Sequence, residues 1–213
     1  MSQTYVIADL HGRFDLLEKA LAAIEERQRD GGTIIFLGDY VDRGPQTRQV
    51  VERLIGGPPI GWRWITLKGN HEVMMVQCYA RPDASWWLGN GGDHTLTSYG
   101  GQIPGEHLSW AKNLALLHVD AHRVYVHAGV DPSRALDQQD ETTLLWMRYP
   151  PNEDIHFGDL HIVHGHTPHK DGPELLSGRT NLDTGAVLCG RLVVGIFDDE
   201  KAGGPVGLIE ILS

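Results

Sequence analysis

Short apolar runs that end in glycine or polar residues recur along the chain and predict buried β-strands. Five of them lie at residues 5–8, 33–37, 64–67, 124–126 and 160–163. Runs this short, rich in β-branched and aromatic residues, are typical of strands that are covered on both faces. The apolar residues between them recur every three to four positions, which predicts helices that pack against the sheet.

The helical spacing is clearest at residues 15–27, and further helices are expected near His71 and over residues 108–117. A helix is also expected after Pro45, because proline suits the first turn. Its inward face would consist of Val50, Val51, Leu54 and Ile55. Alternating strands and helices indicate an α/β protein.

The remaining segments follow neither pattern so regularly. Residues 118–126 are expected to form a strand or a hairpin. Antiparallel strands are expected near the C-terminus, at residues 187–188, 192–197 and 206–212. Residues 85–101 are rich in glycine and tryptophan. We interpret them as a loop, either an irregular connection or a lid or wall of a site.

Polar residues with metal-binding side chains follow each of the five predicted strands. They are Asp9, His11, Asp39, Asn70, His127 and His166. Open α/β sheets build their sites beyond the carboxyl ends of their strands, so we expect these side chains to converge. Any single histidine is more simply explained as a structural residue, but the recurrence at every strand end favours a site. Oxygen and imidazole ligands suit metals such as Mn, Fe and Zn.

The motifs that contain these residues resemble those of a known family. They are Asp-x-His-Gly at 9–12, Gly-Asp-x-Val-Asp-Arg-Gly at 38–44, Gly-Asn-His-Glu at 69–72, His-Ala-Gly at 127–129 and Gly-His at 165–166. In this order they resemble the calcineurin-like metallophosphoesterases, in the phosphoprotein phosphatase branch. The small bacterial and phage group typified by the phage lambda phosphatase is the most similar. The resemblance runs from residue 5 to about residue 192 and implies a central β-sandwich flanked by helices.

This resemblance also implies a dinuclear metal site. Asp9, His11 and Asp39 would hold the first ion. The second would be held by Asp39, Asn70, His127 and His166. Mn²⁺ is the expected metal, with Fe and Zn as alternatives. A hydroxide held between two such ions would attack phosphorus directly, without a phosphoenzyme.

Four further residues receive catalytic roles from the resemblance. Arg43 and Arg148 would clamp the phosphoryl oxygens, since a guanidinium makes bidentate contacts. His71 would protonate the leaving oxygen, and Asp42 would hold its imidazole. The alternative for Arg43 is a salt bridge with a neighbouring aspartate, and for Arg148 a place on the surface. We interpret His164 as a residue behind the ligands and Asp183 as either structural or site-lining.

Composition limits the class of protein. With 41% hydrophobic residues, residues 1–213 are expected to fold as one domain. Two cysteines, neither in a Cys-x5-Arg loop, exclude a cysteine-nucleophile phosphatase and indicate a reducing compartment. The formal net charge of −10 and the lack of a basic run argue against nucleic-acid binding. No apolar run reaches membrane-spanning length and no signal-peptide pattern opens the chain, so we expect the cytoplasm.

Three functional hypotheses follow. The favoured one is a phosphatase of phosphoserine and phosphothreonine proteins, with phosphotyrosine or phosphohistidine as further substrates. The second is a symmetrical hydrolase of dinucleoside polyphosphates such as diadenosine tetraphosphate, which would share the same ligands. The third is a metal-bound binding module without catalysis. That module would lack a ligand or the pair formed by His71 and Asp42, and all of these are present.

Overall fold

Two five-stranded sheets organise residues 2–213, the part of the chain that this computed structural model describes. The strands are β1 (Gln3–Ile7), β2 (Gly32–Phe36), β3 (Trp62–Thr66), β4 (Leu117–Val119), β5 (Arg123–Val126), β6 (His161–His164), β7 (Glu174–Leu175), β8 (Arg179–Asn181), β9 (Arg191–Asp198) and β10 (Gly207–Leu212). The first sheet has the order β10-β9-β1-β2-β3 and the second the order β4-β5-β6-β8-β7. The five strands expected from the apolar runs are therefore confirmed.

The helices are α1 (Phe14–Arg27), α2 (Thr47–Gly56), α3 (Asn70–Cys78), α4 (Ser85–Trp87), α5 (Asp93–Ser98), α6 (Gly105–Asn113), α7 (Glu141–Trp146) and α8 (Ala186–Cys189). A π-helical turn over Leu88–Gly92 joins α4 to α5, and a 3-10 turn covers Leu136–Gln138. No helix within residues 2–213 is long and apolar enough to cross a membrane.

Alternate residues of the central strands bury opposite faces. Along β1, Tyr5 and Ile7 pack under the helices, whereas Val6 packs between the two sheets. Ile35 of β2 joins the same middle layer, where Tyr125 and other side chains of the second sheet meet it. The fold is thus a β-sandwich with helices outside it, as the family resemblance implied, and both faces of its central strands are covered.

Parallel pairing brings the strand ends together. Strands β1, β2 and β3 run parallel in the first sheet, and β5, β6 and β8 run parallel in the second. Strands β9 and β10 pair antiparallel with their neighbours, and β4 with β5, as expected for the C-terminal part and for the 118–126 hairpin. The carboxyl ends of β1, β2, β3, β5 and β6 therefore deliver their loops to a shared edge.

Four local expectations were wrong. Residues 187–188 lie in α8, a single turn enclosed by Gly185 and Gly190, both in the left-handed conformation, and not in a strand. Helix α6 ends at Asn113, so Leu117 belongs to β4 instead. Ile55 is 41% exposed, because it lies off the inward stripe of α2. Residues 85–101 are mainly helical, since α4, the π turn and α5 pack against the core through Trp87 and Tyr99.

The two cysteines are free. Cys78 is buried in α3 and Cys189 is exposed at the end of α8.

Candidate active site

The loops after five strands place the predicted metal ligands in one buried cluster. Asp9 and His11 follow β1, Asp39 follows β2, Asn70 begins α3, His127 follows β5 and His166 follows β6. Each of these side chains is buried, with an exposed fraction of 7% or less. Two groups of three residues each bring their donor atoms within 4.8 Å of one another, and Asp39 belongs to both groups. The first group is His11, Asp39 and His71, and the second is Asp39, His127 and His166.

The Asp39 carboxylate lies between the two groups. Its Oδ2 is 3.5 Å from His11 Nε2, and its Oδ1 is 3.5 Å from His127 Nε2. One oxygen therefore faces each group, which is the arrangement that a bridging carboxylate requires. The backbone N–H of His71 donates to Oδ1 at 3.0 Å and restricts rotation of the carboxylate.

Backbone carbonyls fix the tautomers of two imidazoles. His11 Nδ1 donates to the Val41 carbonyl at 2.8 Å, and His127 Nδ1 donates to the Leu37 carbonyl at 2.9 Å. Because a carbonyl only accepts, each Nδ1 carries the proton and each Nε2 directs its lone pair into the cluster. This is the orientation in which histidine binds a metal ion.

Asp9 and Asn70 each contact a histidine of the cluster. The Asp9 carboxylate accepts the His166 backbone N–H at 3.1 and 3.2 Å, which joins the loops of the two sheets. Asn70 Oδ1 lies 2.8 Å from His127 Nε2, so two lone pairs meet. Asp9 is absent from the two tight donor groups, whereas His71, expected to be an acid, belongs to one of them.

Burial disfavours charge on the aspartates and histidines of this cluster. It raises the pKa of Asp9 well above its usual range, with the Asp183 and Asp39 carboxylates adding to the effect. Burial likewise raises the pKa of Asp39, helped by Glu72. It lowers the pKa of His127 well below its usual range, with His166 contributing. A nearby cation would favour the charged carboxylates and the neutral imidazoles, and so offset this effect of burial.

The residues present fit divalent metal ions. Among residues 2–213, His166 Nε2 and Asp183 Oδ2 are buried without a hydrogen-bond partner. The lone pairs of His11 and His127 converge on the same carboxylate from two sides. Buried carboxylates, neutral imidazoles and an amide oxygen are the donors that borderline and hard divalent ions take.

The expected catalytic residues surround the cluster. His71 Nδ1 donates to Asp42 Oδ2 at 2.7 Å, and Arg43 donates to His71 Nε2 at 2.8 Å. Burial, and to a smaller extent the positive charge of Arg43, lowers the pKa of His71 to about 3. Burial raises the pKa of Asp42 to about 7, opposed by hydrogen bonds from Thr95 and Trp87.

Arg43 and Arg148 lie at the same cavity, and Arg43 in addition contacts the imidazoles. Arg43 also donates to His11 Nε2 at 2.6 Å, so its guanidinium lies among the imidazoles rather than in a salt bridge with an aspartate. Both arginines are exposed, and both line a cavity of about 170 Å³. The other lining residues are Asp39, Asn70, His71, Asn90, Trp146, His166 and Pro168.

Three residues near the site were missed or left open by sequence reasoning. The Glu72 carboxylate accepts backbone N–H groups of Gly69, Asp39, Tyr40 and Val41, and so ties the loop after β2 to α3. Its place in the Gly-Asn-His-Glu motif was the available signal. Asp183 faces Asp9 and lines the cluster. His164 accepts from Arg179 at 3.3 Å and packs edge to face against Tyr149.

The chain belongs to the calcineurin-like phosphoesterases, because the model of that family matches residues 3–193. The resemblance seen in its motifs is thereby confirmed. It is a hydrolase of a family that uses dinuclear divalent metal sites, and the cluster above supplies candidate ligands.

Individual relatives carry different names. The chain is 28% identical over 211 residues to serine/threonine-protein phosphatase 1 of Salmonella typhimurium, which covers 89% of each chain. It is also 28% identical over 221 residues to an asymmetrical bis(5'-nucleosyl)-tetraphosphatase of Anoxybacillus flavithermus, which covers 88% of this chain and 87% of that protein. A crystal structure of a metallophosphoesterase from Sphaerobacter thermophilus has a TM-score of 0.61 at 20% identity and covers 99% of this chain and 88% of that one. At this low identity, the similarity to the solved structure shows a shared fold only.

Proposed function

We propose that this protein is a metal-dependent phosphatase that hydrolyses phosphoserine and phosphothreonine in proteins. The observation that supports this best is the small polar cavity of about 170 Å³ above the donor cluster. Its walls combine Asp39, Asn70 and His166 with the guanidinium groups of Arg43 and Arg148. A cavity of this size and charge suits one phosphoryl group rather than a large ligand.

The proposed ligands of the two ions are those that the motifs implied. Asp9, His11 and Asp39 would bind one ion, and Asp39 would share the other with Asn70, His127 and His166. Bound there, two divalent cations supply a nucleophile from water at neutral pH and positive charge for the phosphoryl group. The Val41 and Leu37 carbonyls keep two of the imidazoles in the metal-binding tautomer.

The remaining side chains would act on the substrate. Arg148, exposed at the cavity wall, and Arg43 would orient the phosphoryl oxygens through bidentate contacts. Because Nε2 of His71 accepts from Arg43 in this structure, the ring would first have to take up a proton there, once Arg43 binds the phosphoryl group. It would then give that proton to the ester oxygen as the bond to phosphorus breaks. Asp42, bonded to His71 Nδ1 at 2.7 Å, would stabilise the charged ring.

A wider groove supports a macromolecular substrate. A second cavity of about 640 Å³ shares Arg43 and Asn90 with the small one and extends past Leu88, His94 and Leu188. A peptide next to the phosphorylated residue would lie there. The name of the Salmonella typhimurium relative adds support.

One observation favours hydrolysis of dinucleoside polyphosphates as a second candidate. Trp86 stacks on Trp146 with ring centroids 5.9 Å apart, and Trp146 lines the small cavity. Trp86 is 52% exposed. An exposed indole pair beside a phosphate pocket would stack a nucleobase. The name of the Anoxybacillus flavithermus relative points the same way.

The proposal is tested by measuring phosphate release, with added Mn²⁺, from a phosphoserine peptide and from diadenosine tetraphosphate side by side. We expect a higher kcat/KM on the peptide. A higher value on the dinucleotide would contradict the favoured function and support the second candidate.

His71→Asn tests the proposed acid in the same assay. We expect kcat to fall by about 10²- to 10⁴-fold, because a positioned general acid contributes that much. The metal content should stay that of the parent protein. Since His71 belongs to one donor group, loss of metal from this variant would identify it as a ligand and contradict the proposed role.

A further inference from the structure

The Asp42 carboxylate is completely buried and is held by side chains from outside its own loop. Trp87 Nε1 donates to Oδ1 at 2.9 Å and to Oδ2 at 3.0 Å. Thr95 Oγ1 donates to Oδ1 at 2.7 Å. His71 Nδ1 takes the remaining side of Oδ2 at 2.7 Å. The carboxylate therefore has its orientation fixed by three donors.

Trp87 and Thr95 both lie in the segment formed by α4, the π turn and α5. Trp87 is fully buried and packs edge to face on Tyr79, with ring centroids 6.4 Å apart. Thr95 is also fully buried, and its hydroxyl accepts the Asp42 backbone N–H at 2.8 Å. One threonine thus binds both the backbone and the side chain of Asp42.

The π turn between them holds the neighbouring arginine. The Gly91 carbonyl accepts the Arg43 backbone N–H at 3.0 Å. Gly91 has a φ of 103°, and a Cβ there would lie 2.7 Å from the Arg43 nitrogen. Only glycine accommodates both the conformation and the close approach. The segment therefore contacts two consecutive residues of the loop after β2.

These contacts have an energetic reason. A carboxylate removed from water loses solvation free energy unless hydrogen bonds replace the lost water. The indole N–H and the threonine hydroxyl provide such bonds on the side away from His71. With Oδ1 occupied in this way, Oδ2 is directed to the imidazole, and Nε2 on the far side of the ring accepts from Arg43, which lines the cavity.

We propose that Trp87 and Thr95 are positioning residues for the proton transfer to the leaving group, acting through Asp42 and His71. This inference rests on the proposed phosphatase function. In this structure Nε2 of His71 accepts from Arg43, so the ring first takes a proton there from water, when Arg43 binds the phosphoryl group instead. As the bond from phosphorus to the ester oxygen breaks, its electron pair stays on that oxygen and this proton moves to it. His71 ends neutral, with Nδ1 still donating to Asp42.

Leaving-group dependence separates this role from a purely structural one. An alkoxide such as that of serine needs the proton, whereas p-nitrophenolate leaves without it. We expect Trp87→Phe and Thr95→Val to lower kcat on a phosphoserine peptide by about 10- to 100-fold, a part of the whole contribution of a general acid. On p-nitrophenyl phosphate, kcat should change less than about threefold, and KM should be unchanged on both substrates.

Thr97→Val is the matched control. Thr97 lies on α5 like Thr95, is exposed, and donates to the Asp93 carbonyl at 2.9 Å. This variant should retain the parent kcat on both substrates.

Each outcome decides the inference. Equal losses on the two substrates would indicate general distortion and overturn it, as would unchanged kcat on the peptide. If Trp87→Phe fails to fold, Thr95→Val alone decides, because valine has the shape of threonine without its hydroxyl. A parent protein inactive on both substrates would instead refute the proposed function, and the inference would fall with it.

Discussion

Non-glycine residues with positive φ concentrate around the candidate site. Asp9, His11, Asp39, Asp42, Arg43 and His166 have φ between 31° and 71°. Among residues 2–213, Asn152 is the one further residue of this kind. Each such conformation costs on the order of 1 kcal/mol, so the surrounding contacts must impose it. The backbone is strained where the candidate ligands and the loop of Asp42 and Arg43 lie.

Gly165 is a residue whose missing side chain leaves room for a candidate ligand. A Cβ at this position would collide with Asp9 Oδ1 and lie 3.1 Å from the Ala8 Cβ. We predict that Gly165→Ala lowers metal affinity by about 10- to 100-fold, the range typical of changes just behind metal ligands. Metal titration followed by calorimetry measures this.

Gly105→Ala provides the control, because a Cβ at Gly105 has no neighbour within 4 Å. It should retain the parent affinity. Equal affinities for the two variants would contradict the proposed role of Asp9.

At the residue scale, the sequence predicted which residues form the site but not the hydrogen bonds between their side chains. The strand ends predicted that Asp39, Asn70 and His166 would converge, and the structure brings them together. Nothing in the pattern predicted that Arg43 would donate to His11 and His71, because side-chain contacts between loops depend on the tertiary fold. The contacts of Trp87 and Thr95 with Asp42 escaped prediction for the same reason.

Among the elements, the turn between β9 and β10 is held against the second sheet by the side chain of Arg123. Arg123 of β5 is fully buried, and it donates to the carbonyls of Gly203 at 2.9 Å and Asp198 at 3.1 Å, and also to that of Lys201. Its guanidinium lies 5.0 Å from the Phe197 ring centroid. Arg123 thus links the two sheets.

We predict that Arg123→Met lowers the free energy of unfolding by about 2–4 kcal/mol, because methionine fills the space but leaves the carbonyls without a donor. Urea denaturation measures the change. Arg48→Ala, which removes an exposed pair with Glu52, should have little effect. A stability of Arg123→Met equal to that of the parent protein would show that water satisfies these carbonyls.

Strands were predicted better than the helical segment at residues 85–101. Strands β1 and β2 have apolar residues on both faces, so their short runs are distinctive. Helices α4 and α5 are three and six residues long, too short for a periodic signal. The π turn between them contains three glycines, and glycine is unfavourable in a helix interior. Tertiary contacts through Trp87 and Thr95 hold this segment, and sequence periodicity does not report such contacts.

At the scale of the whole molecule, the sandwich brings together loops that are distant in sequence. Asp9 follows the first strand and His166 the sixth, and the hydrogen bond from His166 N–H to Asp9 joins the two sheets at the site. The net charge of −10 would repel phosphorylated substrates in general. Two bound cations, together with Arg43 and Arg148, would make the pocket locally positive.

The measurement that tests the central claim most directly is the metal content of the purified protein, determined together with phosphate release from a phosphoserine peptide. After removal of metal by a chelator, we predict no turnover, and recovery as Mn²⁺ is added up to about two ions per chain. Asp39→Asn, which alters the carboxylate shared by both donor groups, should bind fewer ions and stay inactive. Full turnover by the metal-free protein, or by Asp39→Asn, would contradict the account.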